Sequence, residues 1–136
     1  ATAAYTCAIE TMNLELVGLV AVPAERDSLV AAYRNNFAVS KKDNLRWRLE
    51  FDETKSMYIN ETAVATMVKF IQIKGQSESV LEESWVVFVR TEDGSWKYSR
   101  EESRRWTLHL QSQNQPKEEP KEETPQEKPG DDPAAD

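Results

Sequence analysis

The side chains here that could move a proton or attack a carbon are His109, Cys7, Tyr33, Asp43 and Asp52. His109 is the sole histidine, with Thr107 and the Arg104-Arg105 pair beside it, and Cys7 is the sole cysteine. Catalysis by a side chain needs a base or nucleophile, a partner that orients it and a pocket. No Ser-His-Asp grouping, Gly-rich phosphate loop or paired metal ligands can be assembled from local spacing, so no catalytic residue is assigned. One His and one Cys allow neither a His-rich metal site nor an internal disulfide, and no metal or cofactor is expected. His109 reads as a surface residue, and Cys7, among Tyr5, Ala8 and Ile9, as a small buried hydrophobe. Tyr33, Asp43 and Asp52 would supply a base and donors only if folding carried them to one pocket.

Binding chemistry has more material. Trp47, Trp85, Trp96 and Trp106 all fall on expected strands, where large aromatic side chains fill the space between a sheet and its covering helices. Some of them could instead line a cavity. The residues expected to contact a ligand or partner are Tyr33, Trp47, Met67 and Trp85. Arg46 and Arg48 share a strand face, and Arg100, Arg104 and Arg105 come late; Glu50, Asp52, Glu101 and Glu102 balance them as a solvated surface. Asn60-Glu61-Thr62 fits a glycosylation sequon but sits where a turn favours Asn anyway.

Charge is unevenly placed. Residues 116–136 hold three lysines against eight acidic residues, a net −5, so residues 1–115 carry the other −2 of the chain's −7. Neither part has the positive field that phosphate backbones require, and no nucleic-acid partner is expected. Five of the six prolines fall at 116, 120, 125, 129 and 133 among Glu and Lys, a composition unable to bury a core. The expectation is one domain over residues 1–110 and a disordered acidic, Pro-rich tail over 111–136. The apolar stretch from Leu16 to Ala24 is too short to span a bilayer and contains Pro23, so no membrane span is expected. The opening Ala1-Thr2-Ala3-Ala4 lacks Met and reads as a processed or excised piece, for which an extracytoplasmic setting is expected.

The elements that must position these residues follow from periodicity. Tyr5, Ala8, Ile9, Met12, Leu16, Leu19 and Val20 recur in steps of three and four, predicting a helix over 5–20. Pro23 punctuates, and Leu29, Val30, Tyr33 and Phe37 predict a second helix over 24–38 with Ser40 to Asn44 as a polar exit. From Leu45 the period drops to two. Leu45, Trp47, Leu49 and Phe51 alternate with Arg46, Arg48, Glu50 and Asp52; a turn at 52–54 and a short strand over 56–60 follow. Thr62 to Lys74 carries apolar residues on both faces, the mark of a strand covered on both sides. Val80–Thr91 and Ser95–Leu110 are the last strands, joined by a hairpin at Glu92-Asp93-Gly94-Ser95. The predicted fold is α+β, with two N-terminal helices packed on a curved antiparallel sheet of four or five strands.

That order, with four segments, resembles the nuclear transport factor 2-like superfamily, the cystatin-like α+β cone. The segments are Tyr5–Glu15, Glu25–Tyr33 with its Glu-Arg start, Glu61–Val68, and the hairpin from Trp85 to Tyr98 with its Asp-Gly-x-Trp-Lys end. The resemblance implies a pocket on the concave sheet face, used by some members for isomerase, dehydratase or cyclase chemistry and by others for transport or assembly. Family enzymes place a polar Asp, His or Tyr set inside the cone, and no such set falls on matching positions. A non-catalytic binding or assembly domain for a protein partner or small ligand is therefore the leading expectation. A small-molecule isomerase or cyclase-type enzyme drawing on Tyr33, Asp43, Asp52 or His109 is the alternative. Exposed sheet faces in such folds also lead to an expected homodimer.

Overall fold

Turn chemistry organises the second half of the chain. In the computed structural model, which describes residues 1–114, β1 (Leu45–Asn60), β2 (Ala63–Lys74), β3 (Ser77–Arg90) and β4 (Trp96–Ser99) form one antiparallel meander in chain order. Asn60 Oδ1 accepts from the Thr62 backbone N–H at 2.9 Å and closes the first turn. Gly75 (φ 60°) and Gly94 (φ 87°) supply the left-handed backbone of the next two, which residues with a Cβ adopt at a cost. Asp93 Oδ1 accepts from the Thr91 hydroxyl, the Ser95 amide and the Ser95 hydroxyl, so the last hairpin is tied by a single carboxylate.

Three helices cover one face of this sheet. α1 (Thr2–Glu10) and α2 (Leu14–Val20) replace the single helix expected over 5–20. The break is at Met12, which takes φ 52°, and Asn13 then caps α2 by accepting from the Leu16 amide at 3.1 Å. Breaking there re-phases the apolar stripe. Val17 and Val20 go inward, and Leu19 is left 54% exposed. A 3₁₀ turn at Pro23–Glu25 leads into α3 (Arg26–Lys42), which starts two residues later and ends four residues later than expected. Its last turn carries Lys41 and Lys42, favourable beside the helix C-terminal dipole.

The inner face of the sheet and these helices bury Tyr5, Ala8, Ile9, Val17, Leu29, Phe37, Leu49, Val68, Val86, Phe88 and Tyr98 in one core. Tyr5 is its hub, with ring centroids 4.7 Å from Tyr98, 5.9 Å from Phe88 and 6.2 Å from Phe51. Cys7 is exposed, against expectation. At 3.6 residues per turn it lies about 200° around α1 from Tyr5, opposite the buried stripe.

The largest departure lies past Ser99. The strand expected over Ser95–Leu110 is only β4, and Arg100–Asn114 is a helix, α4, on the opposite face of the sheet. The element count is therefore three helices before the sheet and one after it, with four strands among the described residues. Ser99, Glu102 and the contacts with β3 explain the change. Ser99 Oγ accepts from the Glu102 amide at 3.1 Å, the capping bond of an S-x-x-E helix start, and Ser103 and Trp106, three residues apart, both meet β3. Gln111 to Asn114, read as the start of the tail, are the end of α4; the rest of that tail expectation lies outside the described residues.

α4 closes a second, smaller core of Ala63, Ala65 and Val87, with Ile59, Trp85, Val89 and Trp106 packed around it. The tryptophans therefore do not share one hollow. Trp47 faces α3, Trp85 and Trp106 meet edge to face on the outer side at 6.3 Å, and Trp96 is 37% exposed. The turn and short strand expected over 52–60 are also one strand, β1, whose pairing with β2 shifts between Asp52 and Met57.

Glu25 joins the layers. Its carboxylate accepts from the Ser99 hydroxyl at 2.6 Å and the Arg100 amide at 2.7 Å, while Val22 N–H donates to the Tyr98 carbonyl at 2.9 Å. The segment before α3 thus holds the end of β4 and the start of α4 together.

Candidate functional site

A cleft of about 430 Å³ opens between the C-terminal half of α3 and the inner face of the sheet. That size suits a small organic molecule. α3 contributes Tyr33, Asn36, Phe37, Val39 and Ser40, and α1 contributes Ile9. The sheet contributes Leu45 and Trp47 from β1, Phe70 and Gln72 from β2, and Leu81 and Glu82 from β3. Each of these follows from local structure. Tyr33, Phe37 and Ser40 are four and three residues apart, so one helical face presents them together. Trp47 and Phe70 stand on the inner face of their strands with Leu49 and Val68.

Leu81 and Glu82 are neighbours in sequence, and a regular strand would send them to opposite faces. The β2–β3 pairing slips here, with Phe70 opposite Glu82 and Ile71 opposite Val80. Leu81 is the extra residue of a β-bulge, which re-aims a side chain and bends the strand. Both residues then line the same cleft.

The floor is buried and the mouth is open. Phe37 and Ser40 are buried, Tyr33, Trp47, Phe70 and Gln72 half-buried, and Asn36, Val39, Leu81 and Glu82 exposed at the rim. Trp47 Nε1 donates to Ser40 Oγ at 3.0 Å, pinning β1 to the end of α3. Ser40 was expected in a polar exit; it is instead 4% exposed within the helix. The same i, i+4, i+7 spacing from Tyr33 that placed Phe37 would have found it.

Glu82 is the one charged side chain among the cleft's lining residues. Burial pushes the Tyr33 phenol above its ordinary pKa, against the lowering effect of the Tyr5 contact and of Arg100, so it remains neutral. The Tyr5 and Tyr33 hydroxyls are 3.5 Å apart, and burial raises Tyr5 well above the normal range too. What the cleft offers is shape, apolar contact, aromatic rings and a few neutral donors.

The expected contact residues divide between the two faces. Tyr33 and Trp47 come together in the cleft. Met67 is on the outer face beside Asp52, Lys69 and Glu83, and Trp85 packs against Trp106 under α4. The residues considered for catalysis also spread out. Asp43 ends α3, and Asp52, outside the cleft, is held below the usual carboxylate range by the Thr54 hydroxyl. His109 stacks on Trp106 at 5.5 Å on α4. Of these four, Tyr33 alone lines the cleft. Among the described residues no three His, Cys, Asp or Glu side chains gather as a metal set, and no helix is long and apolar enough to cross a membrane. Arg48, on the outer face, lies between Glu50 and Glu78 as a solvated ion pair of little energetic weight.

A comparison with protein-family models finds no match, and neither does a comparison with curated proteins.

Proposed function

We propose that this chain is a nuclear transport factor 2-like domain that binds a small, largely apolar molecule in the α3–sheet cleft without transforming it. The observation that carries the reading is the cleft itself: apolar walls from Phe37, Trp47, Phe70 and Leu45 around a floor where helix and sheet are joined by one hydrogen bond. The α+β order, with helices against an antiparallel meander, supports the family resemblance. The separation of Asp43, Asp52 and His109 from Tyr33 favours binding over isomerase or cyclase chemistry. A concave pocket suits a small ligand better than a protein surface, which is flatter and larger.

The test is a titration with neutral N-phenylnaphthylamine, whose fluorescence rises in an apolar site. Saturable binding to one site is expected, and Val39→Trp, at the exposed rim, should weaken it about tenfold while leaving the melting temperature unchanged. A dissociation constant weaker than about 1 mM, or binding indifferent to Val39→Trp, would overturn the reading.

A further inference from the structure

The Ser40 hydroxyl has capacity left over. A serine hydroxyl has one proton to donate and two lone pairs to accept with. Ser40 spends one lone pair on the Trp47 indole N–H, and no acceptor among the described residues takes its own proton. Ser40 is buried and is among the residues that line the cleft. A buried donor without a partner is costly, and donation into its oxygen from Trp47 polarises the O–H and strengthens it as a donor.

The charges around the cleft narrow the ligand further. Among the described residues no cation lines the cleft, and Glu82 stands at the rim, so a carboxylate or phosphate would enter unpaired and past a like charge. The Tyr33 phenol faces Tyr5 and offers no positive charge either.

We infer that the cleft selects neutral apolar ligands bearing a carbonyl oxygen, a ketone, ester or amide, which accepts the Ser40 proton while the hydrocarbon body lies among Phe37, Trp47 and Phe70. Trp47 acts as a positioning residue, fixing where the hydroxyl sits. This specificity rests on the binding reading above, and the experiment separates the two.

Four naphthalene probes of similar size are compared by calorimetry: the acetyl, ethyl, carboxylate and aminomethyl derivatives. Acetylnaphthalene is expected to bind about tenfold tighter than ethylnaphthalene, the worth of one buried neutral hydrogen bond. Naphthoate is expected to bind more weakly than ethylnaphthalene. In Ser40→Ala the acetyl-over-ethyl preference should fall to near unity, a ratio in which any change of cleft shape that affects both probes cancels. Trp47→Phe keeps the aromatic wall and should reduce the acetyl preference partway.

If acetyl and ethyl probes bind equally, or if Ser40→Ala leaves the preference intact, the carbonyl inference fails and the binding reading survives. Tightest binding of the aminomethyl probe, lost in Glu82→Gln, would likewise overturn it in favour of a cationic ligand. Failure of all four probes to bind would sink both.

Discussion

Removing the Glu25 carboxylate tests how the helix on the outer face is held. Glu25 accepts from the Ser99 hydroxyl at 2.6 Å, the Arg100 amide at 2.7 Å and, at a weak 3.4 Å, the Glu101 amide. These are the orphan donors at the start of α4, and a carboxylate there also meets the positive end of the helix dipole. A hydrogen bond to a charged group is worth about 1.5–3 kcal/mol where it is protected, and loss of a cap costs about 0.5–2 kcal/mol. Arg100 is exposed, so water replaces part of what is lost there; Ser99 is 2% exposed, so little replaces the bond to its hydroxyl. Glu25→Ala should therefore cost about 2 kcal/mol, and Glu25→Gln, which keeps an acceptor oxygen, about 1 kcal/mol.

Urea unfolding reads this as a lower midpoint at constant slope, and the melting temperature should drop by on the order of 8 °C. A double-mutant cycle with Ser99→Ala should return a coupling of about 1 kcal/mol, because the two side chains share one bond. Hydrogen exchange at the Arg100 amide should speed up in both single variants. A cost for Glu25→Ala below about 0.5 kcal/mol, or additive effects with Ser99→Ala, would refute the clamp.

Three other outcomes follow from the same structure. The Asp93 carboxyl is held far below the usual range by the hydroxyls of Ser95 and Thr91, so its contribution to stability is present above the ordinary carboxylate pKa and is lost as pH falls through the lowered value. The stability gap between wild type and Asp93→Asn should thus be constant near neutrality and close only in strong acid; a gap that widens on acidification would contradict the sign. Tyr5, Tyr33 and Tyr98 are raised chiefly by burial, so the stabilisation they give as neutral phenols is full below about pH 10 and lost above it. With the exposed Tyr58 replaced by Phe, the remaining phenolate absorbance should appear together with unfolding in alkali, and a smooth titration of that folded variant would refute this. Trp106 Nε1 is buried without a partner among the described residues, so Trp106→Phe sheds an unsatisfied donor as well as some area and should change stability by less than about 1 kcal/mol, against about 3 kcal/mol for Trp106→Ala in thermal melts.

Periodicity made the middle of the fold legible, and the ends escaped for physical reasons. β2 could be read because apolar residues on both its faces demand cover on both sides, and α4 is the second cover. The Asp93-Gly94 hairpin and the Asn60 turn were legible because their chemistry is local. α4 was missed because Trp96, Tyr98 and Trp106 continue an even aromatic spacing that looks like a strand, while the Ser99-x-x-Glu102 helix start within it went unweighed. The break at Met12 has neither Gly nor Pro to announce it; the Asn13 cap was its only local sign. In the cleft, Tyr33 and Trp47 could be named from the sequence, since each is an aromatic on an apolar stripe. Ser40 could not be distinguished from a polar helix end until Trp47 was seen to bond it. The bulge at Leu81 depends on pairing with β2 and left no mark in the chain itself.

The clamp and the cleft sit at opposite ends of α3, and that separation has a measurable consequence. From Arg26 to Ser40 the helix rises about 21 Å at 1.5 Å per residue. Glu25 fixes the near end to β4 and α4, while the Ser40–Trp47 bond fixes the far end to β1. Between them Leu29 and Phe37 are buried in the same core, so α3 is seated along its length by contacts that owe nothing to Glu25. Loss of the clamp should then loosen α4 and the start of α3 while the cleft keeps its shape. Acetylnaphthalene should bind Glu25→Ala as tightly as wild type at temperatures where both are folded, and Trp47→Phe should do the reverse, weakening the carbonyl preference with a smaller effect on the unfolding midpoint. If Glu25→Ala lowered affinity tenfold while remaining folded, α3 would have to move as one rigid body across the sheet. The Ser40 hydroxyl would then be positioned by the far layer as much as by the tryptophan beside it.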